Sequence, residues 1–203
     1  MSECGFELED AAELERTTLK ILLAINGVMF LVEAVAGWWG ESTGLLADSL
    51  DMLADAFVYG VALYAVGRSQ RLQANAATAS GVLQVALGIG VLVEVVRRFV
   101  FGSDPVSMLM IGVGTLALVA NVSCLLLIAK HREGGVHMRA SWIFSANDVI
   151  ANLGVIVSGG LVMYFGNRLP DLIIGALISV VVLRGGVLIL REAKAARQKK
   201  VGA

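Results

Sequence analysis

Residues 44–59 read GLLADSLDMLADAFVY, an apolar run interrupted by three aspartates. At about 100° per residue on a helix, Asp48, Asp51 and Asp55 fall within roughly 60° of one another. Each carboxylate at mid-membrane costs about 2.5–3.5 kcal/mol on insertion scales. Three on one stripe are tolerable only if the stripe faces other helices, water or a cation. A polar seam that glues helices through hydrogen bonds is the plainer reading, but one Asn or Ser would serve that purpose with less desolvation. Acids inside a span are functional by default, which singles out Asp51 and Asp55. Asp48 lies a turn nearer the far end, where it lines the exit path or joins the site.

The rest of the chain fits a bilayer. Of its 203 residues 57% are hydrophobic and only 16% charged, with a mean hydropathy of +0.79. A soluble domain carries nearer a quarter charged residues, so this chain has too little polar surface for a water-facing globule. No basic patch interleaves with aromatics, which excludes a nucleic-acid partner. Cys4 and Cys124 form neither a disulfide framework nor a zinc-finger spacing. The first sixteen residues hold six acids against Arg16 alone, unlike the basic start of a signal peptide, and read as a solvated, frayed head.

A span needs about 20 mostly apolar residues, and six such runs are predicted at 17–39, 44–66, 77–98, 106–129, 140–165 and 169–190. Connections are short, so neighbouring spans run antiparallel. The expected architecture is an all-α membrane bundle: an acidic head (1–16), six spans (17–191) and a short basic tail (192–203). Twelve Lys and Arg, from Arg16 and Lys20 through Arg68, Lys130 and Arg139 to Lys200, fall on one side; Arg97, Arg98 and Arg168 fall on the other, and Arg184 lies inside the last span. The positive-inside rule then puts both termini in the cytoplasm. Trp38, Trp39, Trp142, Tyr164 and Phe165 sit at span ends, as interfacial aromatics do.

Residues 141–154 of the fifth span read SWIFSANDVIANLG. Ser141, Ser145, Asp148 and Asn152 recur at four, three and four, on one helix face. Asp148 is the sole acid there and the natural partner of Asp51 and Asp55, while Asn147 points elsewhere and adds polarity to packing. Spans two and five run in opposite directions, as in an inverted repeat, although their residues correspond only weakly. Asn26 and Glu33, seven apart in span one, share a face. Glu94 with Arg97 and Arg98 reads as an interfacial ion pair, Asn121 as an interhelical hydrogen-bonding group, and His131 and His137 as solvated loop residues.

The stretch NGVMFLVEAVAG at 26–37, followed by STGLLADSLDMLAD at 42–55, resembles the first two spans of the cation diffusion facilitator family, with Asn26 and Glu33 in its Asn-x6-Glu and Asp51 and Asp55 in its span-two acid pair. The likeness continues through EVVRR at 94–98, Asn121, RASWIFSAND at 139–148 and LRGG at 183–186. It implies a homodimeric exporter of Zn²⁺ or a similar ion in exchange for protons. Two departures stand out. The family's fifth span offers His-or-Asp-x3-Asp, whereas here Phe144 precedes Asp148, and phenylalanine gives a metal nothing. The family's cytoplasmic C-terminal domain is not expected after so short a tail.

Asp51 and Asp55 lie one turn apart, and two such charges in low dielectric cannot both ionise without a cation. A divalent ion can replace the protons, with Asp148 as third donor, so binding releases protons and reprotonation ejects the ion. Asn152, Asn26, Asp48 or water is left as fourth ligand. Oxygen donors suit Mn²⁺ and accept Zn²⁺; Fe²⁺, Co²⁺ and Cd²⁺ remain open. Three rivals have sequence counterparts. An organic-cation exporter would need an aromatic pocket round Glu33. An intramembrane aspartyl protease using Asp55 and Asp148 would need Gly where Asn147 stands. A metal-binding scaffold would have lost transport through Phe144. None of the transport readings makes the chain an enzyme.

Overall fold

The computed structural model describes residues 3–39 and 43–198, with the side chains of 12–32, 34, 35 and 51–198. Six helices follow in order: α1 (Glu3–Trp39), α2 (Thr43–Ala65), α3 (Gln70–Phe101), α4 (Ser107–Ala129), α5 (Val136–Phe165) and α6 (Leu169–Gln198). Among the described residues there is no strand. By length and composition α3 to α6 can each cross a membrane. α2 is not among those four, since its 23 residues hold all three aspartates of the stripe.

Each predicted span has its helix, but four helices overrun the apolar run, all at the end of the bundle rich in Lys and Arg. α1 starts at Glu3 inside the acidic head, α3 at Gln70, α5 at Val136, and α6 continues to Gln198. Hydropathy sees only the stretch that needs lipid; the backbone keeps its hydrogen bonds beyond it. At the opposite end the α5–α6 turn is tight. Gly166 closes α5 in the left-handed conformation (φ 64°), and the Asn167 side chain accepts from the Leu169 N–H at 3.0 Å. The arginines and aromatics at the basic end pair up, with Arg68 over Tyr64 at 4.3 Å and Arg132 over Trp142 at 5.7 Å.

The closest helix pairs are α1 with α2, α4 with α5, and α3 with α6, and α5 also touches α2, α3 and α6. One apolar cluster joins α1, α2, α4 and α5 through Leu22, Tyr59, Cys124 and Met138. Another joins α3, α5 and α6 through Ala77, Ile143 and Ile189. Lipid tails are as apolar as leucine, so close backbone approach holds such helices together. The α3–α6 seam shows this. A Cβ on Gly88 would stand 2.8 Å from Leu183, and one on Gly186 2.7 Å from Val85 and 3.0 Å from its backbone nitrogen. Gly186→Leu is therefore expected to destabilise the bundle by about 1–3 kcal/mol, read as a lower melting midpoint in detergent, while Gly90→Leu, with nothing within 4 Å of its Cβ position, leaves it unchanged.

Candidate functional site

The second turn of α2's acid stripe and the middle of α5 face each other. Asp55 is 1% exposed and Asp148 5%, so neither meets lipid. The Asp148 carboxyl adjoins that of Asp55 closely enough to share a proton, with Asp51 also within electrostatic range. Asp51 is only half-buried. Among the described residues no three His, Cys, Asp or Glu side chains stand close enough to hold one ion together; the pair brought into contact is Asp55 with Asp148. The side chains of Asp48, Glu33, Trp38, Trp39 and Cys4 lie outside the described residues.

Phe144, one turn before Asp148, is fully buried and packs on Ala54 and Val58 of α2, with Leu83 and Leu87 of α3 against the same cluster. The position that lacks a donor thus acts as an apolar wedge between α2 and α5. Asn152 is buried, and its Nδ2 finds no hydrogen-bond partner among the described residues. Asn26 is fully buried on α1. Its Nδ2 donates to the Leu22 carbonyl at 3.0 Å and reaches Cys124 Sγ at 3.5 Å, while Oδ1 has no hydrogen-bond partner among the described residues. Asn147 turns away from the acids and lodges on α6, its amide nitrogen where a Cβ on Gly185 would fall.

Tyr59 was not anticipated. Its fully buried ring ends in a hydroxyl beside Ser145, within electrostatic reach of Asp55 and Asp148. The signal was in the opening stretch, since Tyr59 follows Asp55 by four and extends the same stripe. Asn121 is a correction: it is buried on α4, but neither side-chain atom has a hydrogen-bond partner among the described residues, and the same holds for Gln84 on α3. Such groups in a low-dielectric interior call for water or an ion. Glu94 behaves as expected. It pairs with Arg97 at 2.7 Å and Arg98 at 2.8 Å, and Arg98 reaches Asp171, which accepts from Ser158. This network ties α3, α5 and α6 at the end away from most of the basic residues.

At the basic end the histidines require a second correction. His131 is half-buried, with Nδ1 3.5 Å from Thr18 Oγ1, but His137 is 1% exposed and stands by Glu15 of α1. Burial pushes the imidazole down to about 4 and the Glu15 carboxyl above its usual range. The folded His137 binds its proton less readily than the unfolded chain does, so its contribution is complete above about pH 6.5 and is lost as pH falls toward 4. Protection factors for hydrogen exchange over residues 12–20, taken relative to the intrinsic exchange rate at each pH, are expected to fall between pH 6.5 and 4.5, and His137→Gln to flatten that dependence.

Comparison with known proteins gives a consistent picture. A family model described as the cation efflux transmembrane domain matches residues 19–196. The chain is 28% identical over 187 residues to the zinc transporter ZitB of Yersinia pseudotuberculosis, covering 86% of the chain and 60% of that protein. It is 24% identical over 195 residues to a cadmium, cobalt and zinc/H(+)-K(+) antiporter of Bacillus subtilis, covering 88% and 61%. It is 24% identical over 178 residues to the metal cation efflux system protein CzcD of Cupriavidus metallidurans, covering 82% and 56%. The chain spans about three-fifths of the length of these curated relatives.

Proposed function

The chain belongs to the cation efflux family, and on that premise we propose that it moves a divalent metal cation across the membrane by exchange with protons. It is an integral, multi-pass membrane protein. The observation that carries the reading is the buried contact between Asp55 of α2 and Asp148 of α5. Two carboxyls at one point in a low-dielectric interior hold a shared proton or a cation, and exchange between the two is an antiport cycle. Asp51, one turn away, supplies a third charge when the helices close on the ion. Asn152, Asn26 through its Oδ1, Asp48 or water completes the shell. A proteolytic dyad would also bring two carboxyls together, but the family's members are transporters, and no bond is made or broken in this cycle.

Zinc is the first-choice ion, because relatives are named as transporters of zinc, cadmium and cobalt; Mn²⁺ and Fe²⁺ fit the oxygen donors. All six helices span the bilayer, with the basic end and both termini in the cytoplasm, and the working unit is a homodimer. The test is ion uptake into proteoliposomes under an imposed pH gradient, across Zn²⁺, Mn²⁺, Fe²⁺, Co²⁺ and Cd²⁺. Zn²⁺ flux that reverses when the gradient is reversed is expected; flux indifferent to the gradient would rule out proton exchange.

A further inference from the structure

His137 is a buried imidazole with neither ring nitrogen hydrogen-bonded among the described residues. It lies at the basic end of the bundle, at the start of α5, away from the Asp55–Asp148 pair deeper in that helix. Its Nε2 faces the Glu15 carboxylate with 4.0 Å between them. That gap is too wide for a hydrogen bond. With zinc–nitrogen and zinc–oxygen bonds of about 2.0–2.2 Å, a tetrahedral ion holds two donors about 3.3–3.6 Å apart, so a few tenths of an ångström of inward movement by the Glu15 carboxylate brings both atoms onto one ion.

The surroundings are shaped for this pair. A Cβ on Gly134 would overlap Oε1 of Glu15 and stand 2.7 Å from its Cδ, so the loop admits the carboxylate only because it is bare there. A Cβ on Gly135 would stand 2.9 Å from Gln73 Oε1 and 3.0 Å from His137 Nδ1. The Gln73 amide is oriented by its own bond, Nε2 donating to the Arg68 carbonyl at 3.2 Å, so its Oε1 and the His137 ring both crowd the bare Gly135.

We propose that His137 Nε2 and the Glu15 carboxylate form a divalent-cation site at the basic end of the bundle, completed by water and suited to Zn²⁺ or Co²⁺ by its nitrogen–oxygen donor set. The site is separate from the transport acids, and its test does not depend on them. The full chain is placed in lipid nanodiscs with Asp55→Asn and Asp148→Asn, and Co²⁺ and Zn²⁺ are titrated at pH 7 while cobalt d–d absorption and zinc X-ray absorption are recorded. A His137-dependent ion with imidazole scattering is expected. It should be lost with His137→Gln, weakened at least about tenfold with Glu15→Gln, and kept with His131→Gln. Gly134→Ala, which removes no donor but displaces Glu15, should weaken it as well and keeps the test decisive if His137→Gln does not fold. Binding unchanged by Glu15→Gln and Gly134→Ala, or abolished by His131→Gln alone, would overturn the site.

Discussion

Asp148→Asn is expected to abolish metal uptake, with initial Zn²⁺ flux into proteoliposomes at least about 100-fold below that of the unaltered chain, and Asp55→Asn to do the same. Loss of a partner that merely orients a ligand already lowers metal affinity about 10–100-fold, so loss of a direct anionic donor is more severe. Asparagine keeps the shape and one oxygen but cannot exchange a proton for the ion, which separates charge from packing. Both positions are buried and in contact, so the double variant should be no worse than either single one. Asp171→Asn is the control: it removes an acid of the Arg98 network and is expected to leave flux within about twofold of the parent, since a partly exposed ion pair contributes little. Normal flux in both Asp55→Asn and Asp148→Asn would dismiss the intramembrane pair as the ion's station.

Phe144 gives the second large effect. Phe144→Ala removes the wedge from Ala54 and Val58 and is expected to destabilise the bundle by about 3–5 kcal/mol, read as a fall in melting midpoint and a lost cooperative transition. Phe144→His is smaller than the wedge but places an imidazole one turn before Asp148. It should retain more stability than Phe144→Ala and shift preference from Mn²⁺ toward Zn²⁺, because nitrogen donors favour the softer ion. A competition assay between the two ions measures the shift; no change in their ratio would place residue 144 outside the coordination sphere.

Much of this was legible in the order of residues. The acid stripe of α2 put Asp55 on the face that turns inward, and Ser141, Asp148 and Asn152 named its counterpart on α5, because helical spacing fixes which side chains share a face. Hydropathy located the helices but cut four of them short at the basic end, where the chain stays helical after it no longer needs lipid. His137 escaped for a related reason: a loop histidine beside Lys130 and Arg132 reads as solvated until α1 is known to reach far enough to cover it. Nothing local to residues 131–137 announces that Glu15, more than a hundred positions earlier, comes to rest on Gly134. Asn121 misled in the other direction: it reads as an interhelical hydrogen-bonding group, and it is buried without such a partner among the described residues.

Asn147, set into the notch at Gly185, works like a key in a slot between α5 and α6. A helix pinned that way cannot spin alone about its own axis without first withdrawing the key. Any swing that carries Asp148 from one face of the bilayer toward the other must therefore drag α6, and with it the tightly seamed α3, as one rigid panel moving against α2.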